Sequence, residues 1–251
     1  MKLGLDGKNA LITGGSRGLG LAVALELSKQ GANVAIISRN ANDLKKNINM
    51  FDNPDRHYYI ETDLMQENSA DLIHEKISHD FGKIDILIHN IGGTFGIRDP
   101  LAPIEDYLKV WRLNFGIACE LNRCFIPDMV KEHWGRVIFI SSSSAVNLDG
   151  SLPYGVAKAA VNAYVKGLGR KYASDGIVVS GIMPGPFVSG DGHWDHIREN
   201  DPKKYNNLIE NHVALRRLGT AEEIAHSVVF LASEKAPLFI GSVLSTDGGY
   251  Y

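Results

Sequence analysis

The sequence predicts an α/β fold built on a parallel sheet. Short apolar runs rich in β-branched residues alternate along the chain with segments whose apolar residues recur at helical spacing. Runs that are apolar at every position are typical of parallel strands covered on both faces. No repeat, low-complexity tract or linker interrupts this alternation over residues 1–251. We therefore expect a single-domain, Rossmann-like, doubly wound parallel sheet with helices on both faces.

The predicted elements follow from the local pattern in chain order. Strands are expected in the apolar runs at 9–13, 32–38, 57–61, 84–89, 135–141, 178–183 and 243–246. Helices are expected where apolar residues lie three or four apart, at 19–30, 43–50, 67–81, 104–131, in the stretch containing Tyr154 and Lys158, and at 221–232. Residues 184–212 are polar and show neither pattern, so we expect a loop there.

Composition argues against several classes of partner. The chain is 44% hydrophobic and 22% charged, with a formal net charge of −3 and a pI near 6.3. It has no cluster rich in lysine or arginine, so nucleic acid is not expected as a partner. The N-terminus lacks an apolar signal region and no window reaches the roughly 18 apolar residues of a membrane span, so we expect a cytoplasmic protein without membrane association. The spacing of Cys119 and Cys124 favours neither a disulfide nor a metal site.

A glycine-rich turn follows the first predicted strand. Residues 13–20 read Thr-Gly-Gly-Ser-Arg-Gly-Leu-Gly and lead into a helix. Glycine lets the backbone approach a pyrophosphate, and a helix N-terminus offers free N–H groups and the positive end of the helix dipole. The spacing from Gly14 to Gly18 differs from that of the GxGxxG fingerprint. Its position after the first strand nevertheless indicates dinucleotide binding rather than a plain tight turn.

The type of dinucleotide is indicated by the end of the second strand. About 20 residues past the glycines, where a carboxylate would bind an NAD ribose, the sequence has Ser38-Arg39-Asn40 instead. With Arg17 in the glycine turn, planar cations are available for a 2′-phosphate, unless both are solvated surface residues. We favour NADP(H) over NAD(H). After the third strand, Asp63 either accepts a hydrogen bond from an adenine amino group or caps the following helix.

Tyr154 and Lys158 lie four residues apart in a predicted helix, so both point to the same side. An ammonium about 4 Å from a phenol supplies roughly the 4 kcal/mol that brings a Tyr pKa of about 10 towards neutral pH. Such a pair can act as an acid–base catalyst, although many helices carry the same spacing without function. Serines 141–144 follow the fifth strand and either form a plain loop or donate to a substrate carbonyl, and strand register favours Ser142 as the donor. Asn114 is a poor helix former at a core position, which indicates a role.

Taken together, these motifs resemble the short-chain dehydrogenase/reductase family, in its compact single-domain branch. They include the glycine turn, Asn90 and Gly92 after the fourth strand, the Tyr–Lys pair, and Pro184-Gly185 after the sixth strand. The resemblance covers nearly the whole chain, and its C-terminal motifs are similar to those of 3-oxoacyl-(acyl-carrier-protein) reductases. His89 departs from the family pattern, because it stands where the usual Asn-Asn-Ala-Gly motif has its first Asn.

The resemblance implies an NADP(H)-dependent oxidoreductase that interconverts a carbonyl and a secondary alcohol by hydride transfer, without a metal. Tyr154 would be the acid in reduction and the base in oxidation, and Lys158 would lower its pKa and hold the nicotinamide ribose. Ser142 would position the substrate oxygen, and Asn114 would hold a water for proton return. The residues implied to bind the cofactor are Gly14, Ser16, Arg17, Gly18, Leu19, Gly20, Arg39, Asp63, Leu64, Asn90, Gly92, Tyr154, Lys158, Pro184, Gly185, Phe187 and Ser189.

The segment 186–212 would be the lid that closes over a small-molecule substrate, since Gly190 and Gly192 permit motion. Its Trp, His and Lys residues either meet a polar or anionic substrate or belong to a solvated lid whose Trp194 packs on the body. The resemblance also implies a homo-oligomer, a tetramer or dimer. Two alternatives stay open: an epimerase or dehydratase relative that uses NAD(P), and a non-catalytic dinucleotide-sensing protein. The presence of both Tyr154 and Lys158 argues against the second.

Overall fold

A parallel seven-stranded sheet forms the centre of the computed structural model, which describes residues 2–251. The strands are β1 (Asn9–Thr13), β2 (Asn33–Ser38), β3 (Tyr58–Glu61), β4 (Ile86–His89), β5 (Gly135–Ile140), β6 (Ile177–Pro184), β7 (Phe187–Val188), β8 (Gly219–Thr220) and β9 (Val243–Thr246). The central sheet has the order β3-β2-β1-β4-β5-β6-β9 with parallel neighbours throughout, and β7 pairs with β8 separately. The order reverses between β1 and β4, so the carboxyl ends of these strands flank a crevice. The predicted fold class is confirmed.

Helices pack on both faces of this sheet. They are α1 (Gly18–Lys29), α2 (Ala41–Ile48), α3 (Ser69–Asp80), α4 (Ile104–Trp111), α5 (Ile117–Lys131), α6 (Ser144–Asn147), α7 (Leu152–Tyr172), α8 (His193–Asn200), α9 (Pro202–His212) and α10 (Ala221–Ala232). The bounds predicted for strands and helices outside residues 184–212 are confirmed to within about two residues, except that 104–131 contains a π-helical turn between α4 and α5. No helix formed by residues 2–251 is long and apolar enough to cross a membrane.

Neighbouring residues of β1 show why both faces are covered. Leu11 and Ile12 are adjacent and both fully buried, yet they belong to different apolar clusters. Ile12 packs in the cluster that includes residues of α1 and α10, whereas Leu11 packs in the cluster that includes residues of α3, α5 and α7. Successive side chains of a strand point to opposite faces, so a run without polar residues requires apolar cover on each. The sheet is therefore accessible mainly at its strand ends.

The prediction of a loop over 184–212 is wrong, because this segment contains β7, α8 and α9. Strand β7 pairs with β8, whose sequence lies beyond the segment. A small apolar cluster of Leu208, Val213 and Leu218 holds the helices, with Trp194 and Tyr205 packed against it. The two helices have few apolar residues, and their ends are fixed by polar side chains rather than by a long apolar stripe.

Candidate active site

A cleft of about 730 Å³ opens at the carboxyl ends of the central strands. Predicted site residues that line it are Gly14, Ser16, Arg17, Gly18, Leu19, Arg39, Asp63, Leu64, Asn90, Gly92, Ser142, Tyr154, Lys158, Pro184, Gly185, Phe187 and Ser189. Gly20 and Asn114 are instead buried beneath the wall of the cleft. The fold thus brings the predicted residues to one place, and their individual roles stay predictions.

The glycine turn between β1 and α1 is shaped to receive a phosphate group. Gly14 and Gly18 have φ values of +67° and +55°, a left-handed region that favours glycine. A Cβ on Gly20 would lie 2.2 Å from the Gly14 carbonyl oxygen, so the helix packs directly on the turn. The first turn of α1 has no side-chain cap and no acidic residue. Its N–H groups are therefore available to a pyrophosphate, and the turn fits a dinucleotide.

Side chains that the sequence did not mark as structural hold this turn in place. Asn90 Nδ2 donates to the carbonyl oxygens of Thr13 at 3.0 Å and Gly14 at 3.2 Å, while Thr13 Oγ1 accepts from the Asn90 backbone N–H at 3.0 Å. From the other side, the buried Asn47 of α2 donates to the Ser16 carbonyl at 2.7 Å. Asn90, predicted to contact the ribose region, thus also ties β1 to β4. Asn47 carried no recognisable signal in the sequence.

Two arginines border the end of the cleft next to β2. Arg39 is exposed on the cleft wall. The Arg17 side chain is 76% exposed, with one guanidinium nitrogen 3.8 Å from a carboxylate oxygen of Asp191. Asp63 Oδ1 accepts from the Met65 backbone N–H at 3.0 Å, and α3 begins further along the chain. The interpretation of Asp63 as a helix cap is therefore wrong, and its carboxylate remains on the cleft wall.

The Tyr154–Lys158 pair lies at the other end of the cleft, near the start of α7. Lys158 is only 3% exposed; its Nζ donates to the Ile140 carbonyl at 2.7 Å and lies 5.6 Å from the centroid of the Tyr154 ring. Burial lowers the pKa of Lys158 to about 8. Burial also raises the pKa of Tyr154, opposed by a hydrogen bond with the Ser142 hydroxyl. The lowering of the Tyr154 pKa that the resemblance implies is not found in this structure, so the phenol is protonated at neutral pH.

The structure distinguishes Ser142 from its neighbours in the serine run. Ser142 lies on the cleft wall together with Tyr154, and its hydroxyl accepts from the Ser144 backbone N–H at 3.2 Å. Ser141 is buried and donates to Asn162 Oδ1 at 2.5 Å, so its hydroxyl is used in packing α7 on β5. The Ser144 hydroxyl donates to Asp149. The role of Ser142 toward a substrate stays a prediction.

Asn114 sits in the π-helical turn Arg112–Gly116, where the sequence predicts continuous helix. Its Nδ2 donates to the carbonyls of Val110 and Gly93, both at 2.8 Å, and its Oδ1 accepts from the Gly93 N–H at 3.1 Å. In an α-helix the Val110 carbonyl accepts from the Asn114 backbone N–H; here it also accepts from the Asn114 side chain. A Cβ on Gly92 would lie 2.7 Å from Asn114 Oδ1 and 3.1 Å from Lys158 Nζ. The side chains of Asn114 and Lys158 therefore both lie beside Gly92, in the space that a Cβ at this position would need.

His89, which departs from the family pattern, is a buried neutral side chain. Its Nε2 pairs with Asn122 Oδ1 at 2.8 Å, and its ring packs on Phe139 with centroids 4.5 Å apart. Burial lowers the pKa of His89 to about 4. Its Nδ1 has no hydrogen-bond partner among residues 2–251. The histidine thus fills space behind the cleft and is uncharged at neutral pH.

Asp195 is a site-forming residue that sequence reasoning missed. Its side chain is buried, and one carboxylate oxygen accepts from the backbone N–H groups of Ser189 at 2.8 Å, Gly190 at 3.0 Å and Gly192 at 3.1 Å. The other oxygen is 3.3 Å from an Arg198 guanidinium nitrogen. A carboxylate that gathers three backbone donors fixes the path of the chain beside the cleft. Only the contacts of the folded chain reveal this role.

Sequence comparisons show that this chain is similar to known reductases. A family model described as enoyl-(acyl carrier protein) reductase matches residues 14–251. The 3-oxoacyl-(acyl-carrier-protein) reductase of Haemophilus influenzae is 32% identical over 254 residues, covering 98% of this chain and 99% of that protein. A tropinone reductase homolog of Arabidopsis thaliana is 31% identical over 259 residues, covering 98% of this chain and 93% of that protein.

Solved structures show the same fold. The L-sorbose reductase of Gluconobacter frateurii, complexed with NADPH and L-sorbose, has a TM-score of 0.90 at 30% identity, covering 100% of this chain and 98% of that one. A 3-oxoacyl-(acyl-carrier-protein) reductase of Agrobacterium tumefaciens with NADP bound has a TM-score of 0.89 at 25% identity, covering 99% and 96%. The chain described here belongs to the short-chain dehydrogenase/reductase family of NAD(P)-dependent oxidoreductases.

Proposed function

We propose that this protein is an NADP(H)-dependent carbonyl reductase in which Tyr154 protonates the substrate oxygen. The proposal is supported by one observation. Tyr154, Ser142 and the buried Lys158 lie at one end of a cleft, and its other end is the glycine turn before α1, a helix without a side-chain cap. A dinucleotide bound along this cleft would have its phosphates at the turn. Its reactive ring would then lie towards the phenol.

The preference for NADP(H) is supported by charge at the end of β2. Arg39 is on the cleft wall, Arg17 is exposed nearby, and Ser38 occupies the β2 terminus, where a carboxylate would bind a 2′-hydroxyl. A guanidinium can bind a phosphate with two parallel hydrogen bonds. The sorbose reductase and the Agrobacterium enzyme to which the chain is similar were solved with NADPH and NADP. Bound here, the cofactor supplies the hydride.

The proton chemistry follows from the side chains at the α7 end. As a carbonyl is reduced, negative charge develops on its oxygen, and the hydroxyls of Tyr154 and Ser142 on the cleft wall would stabilise it. Tyr154 is protonated at rest because burial raises its pKa, which is the state that a general acid needs. Ser142 donates a second hydrogen bond to the oxygen. Lys158, whose Nζ lies beside Gly92 as the Asn114 amide does, would return a proton to Tyr154.

We also propose that the protein forms a homo-oligomer. Helix α4 exposes Ile104, Leu108 and Trp111, with exposed fractions of 63%, 59% and 37%. These residues lie four and three apart, so they form one apolar face that is exposed to water. Light scattering of the purified protein tests this. A mass of one chain, 27.5 kDa, would contradict it.

A substrate panel tests the reaction class. The purified protein is mixed with NADPH or NADH and with oxoacyl thioesters, keto sugars, small ketones and an enoyl thioester, and NADPH absorbance is followed. The proposal predicts reduction of at least one carbonyl compound, faster with NADPH. Reduction of the enoyl thioester alone would instead assign carbon–carbon double-bond reduction. Dinucleotide binding without turnover of any compound would favour a sensing role.

A further inference from the structure

A series of hydrogen bonds leads from Tyr250, in the segment that follows β9, to the cleft residue Ser142. The Tyr250 hydroxyl donates to one carboxylate oxygen of Asp149, and the other oxygen accepts from the Ser144 hydroxyl at 3.0 Å. The Ser144 backbone N–H then donates to the Ser142 hydroxyl oxygen at 3.2 Å. Tyr250 and Asp149 are 101 positions apart in the sequence, so only the fold brings them together.

The last of these hydrogen bonds affects how Ser142 presents its hydroxyl group. The backbone beside Ser142 is held by β6, since the Ser143 N–H donates to the Pro184 carbonyl at 2.8 Å. A hydroxyl group has one hydrogen to donate and lone pairs that accept, and the Ser142 oxygen accepts from the Ser144 N–H. The hydrogen of Ser142 then points away from this N–H. The location of Ser144 thus limits the direction in which Ser142 can donate.

The loop between α6 and α7, which contains Asp149, is exposed to solvent. Residues 146–150 are all exposed, and a Cβ on Gly150 would have no atom within 4 Å. Leu148 has a φ of +54°, in the left-handed region that a leucine rarely adopts. A segment with so few packing contacts depends on the side chains that tie it down. The two hydrogen bonds of Asp149 do this here.

Tyr250 is itself fixed by a different part of the molecule. It forms an antiparallel bridge with Val213, and next to this bridge the Ala214 N–H donates to the Gly249 carbonyl at 3.1 Å. Its side chain packs against the small apolar cluster around Leu208 that holds α8 and α9. Burial, followed by the hydrogen bond to the neighbouring carboxylate, raises the pKa of Tyr250 to about 12. Its hydroxyl is therefore protonated and able to donate at neutral pH.

We propose that Tyr250 is a positioning residue for the reduction, acting through Asp149 and Ser144 on the direction of the Ser142 hydroxyl. This inference rests on the carbonyl reductase activity and on the role of Ser142 proposed above. Among residues 2–251, those lining the cleft do not include Tyr250, Asp149 or Ser144. Their effect on the substrate oxygen therefore passes through Ser142.

Variants that each remove one hydroxyl group test this role. Tyr250→Phe keeps the ring in its apolar cluster and removes only the donor to Asp149. Tyr251→Phe is the matched control, because Tyr251 is 69% exposed and its backbone bond to the His212 carbonyl is retained. Both substitutions are made in the wild type and in Ser142→Ala. For each protein kcat and the KM for NADPH are measured with a carbonyl substrate found by the panel.

The expected effects on kcat differ between the two backgrounds. Ser142→Ala should lower kcat by about 10²–10³-fold, as the loss of one donor to a developing oxyanion does. Tyr250→Phe should lower it by about 3- to 30-fold, because Ser142 is present but less well directed, with KM for NADPH within about twofold. In Ser142→Ala, Tyr250→Phe should change kcat by less than about twofold, since no hydroxyl is left to direct. Tyr251→Phe should match its parent in both backgrounds.

Substitutions at Asp149 and hydrogen exchange provide two further measurements. Asp149→Ala removes the acceptor of both hydroxyls and should lower kcat at least as much as Tyr250→Phe. Asp149→Asn keeps an acceptor oxygen and should recover most of the wild-type kcat. Exchange of the Ser144 amide, which needs no substrate, should be about 3- to 30-fold faster in Tyr250→Phe and unchanged in Tyr251→Phe.

Two results would overturn this inference while leaving the reductase activity in place. One is an equal loss of kcat from Tyr250→Phe in the wild type and in Ser142→Ala, since Tyr250 would then act on the fold at large. The other is wild-type kcat together with wild-type exchange at Ser144 in Tyr250→Phe. Wild-type kcat in Ser142→Ala would instead remove the proposed role of Ser142. If no carbonyl compound is reduced at all, the proposed activity fails, and the positioning role fails with it.

Discussion

Replacing Asp195 by alanine should release the backbone between β7 and α8 from the cleft wall. In the folded protein one Asp195 oxygen accepts from three backbone N–H groups, those of Ser189, Gly190 and Gly192. Ser189 and Gly192 both line the cleft. Without the carboxylate these N–H groups form hydrogen bonds with water, and the segment loses its fixed path.

The size of the effect follows from these hydrogen bonds. A hydrogen bond to a charged group contributes about 1.5–3 kcal/mol, and three that share one oxygen do not add fully. We expect a local loss of roughly 3–5 kcal/mol, which at about 1.4 kcal/mol per factor of ten is about 100- to 3,000-fold in the opening equilibrium. Asp195→Asn keeps an acceptor oxygen without its charge, so about half of this loss is expected.

The charge state of Asp195 at working pH is fixed by its surroundings. Burial raises its pKa, but the N–H groups of Ser189, Gly192 and Gly190, with Arg198, lower it by more, so the net pKa is below its ordinary value of 3.8. A lowered carboxyl pKa gives stability that is complete above the unfolded value and is lost as pH falls through the folded value. The contact is therefore intact at neutral pH.

Hydrogen exchange of the segment 186–196 measures this directly. Asp195→Ala should accelerate exchange at Ser189, Gly190 and Gly192 by the factor above and raise KM for the dinucleotide. Glu199→Gln, an exposed carboxylate on α8, is the matched control and should leave both unchanged. Wild-type exchange rates in Asp195→Ala would refute the assignment.

Three further changes have definite expected outcomes. Arg39→Ala should weaken NADPH about 10- to 100-fold in a fluorescence titration and NADH less than about twofold, and equal losses would remove the 2′-phosphate role. Lys158→Met should abolish turnover without lowering Tm, because a lysine pKa of about 8 in place of 10.5 corresponds to roughly 3 kcal/mol against folding at neutral pH. Between these two pKa values the unfolded chain binds more protons than the folded one, so the stability of the wild type should rise from pH 8 to 10.5. A stability that does not change over this range would contradict the buried ammonium. Gly20→Ala should lose dinucleotide binding in the same titration, since its Cβ would lie 2.2 Å from the Gly14 oxygen, whereas Gly167→Ala, with nothing within 4 Å, should retain it.

The parts of the site that the sequence predicted are those fixed by local pattern. The sheet follows from runs such as β1, where adjacent residues are buried on opposite faces. The tight turn before α1 follows from glycines between a strand and a helix, and the shared side of Tyr154 and Lys158 follows from helical spacing. The choice of Ser142 over Ser141 came from strand parity, and the structure shows Ser141 turned inward to Asn162.

The parts that were missed depend on contacts between distant residues. The helices α8 and α9 are short and mostly polar, and a small cluster around Leu208 together with polar side chains holds them. The π-helical turn contains Asn114, whose side-chain amide bonds to Val110 and to Gly93 of another loop. The pKa of Tyr154 is raised by burial, and the Lys158 Nζ donates to the Ile140 carbonyl; residue spacing shows neither of these facts.

The central claim is that Tyr154 is the acid, and one variant tests it most directly. Tyr154→Phe removes a single hydroxyl from the cleft, and Tyr172→Phe at the end of α7 is the matched control. With a substrate identified by the panel, Tyr154→Phe should lower kcat by about 10²–10⁴-fold while leaving the NADPH dissociation constant within about twofold. Tyr172→Phe should match the wild type in both. Turnover by Tyr154→Phe at close to the wild-type rate would contradict the account.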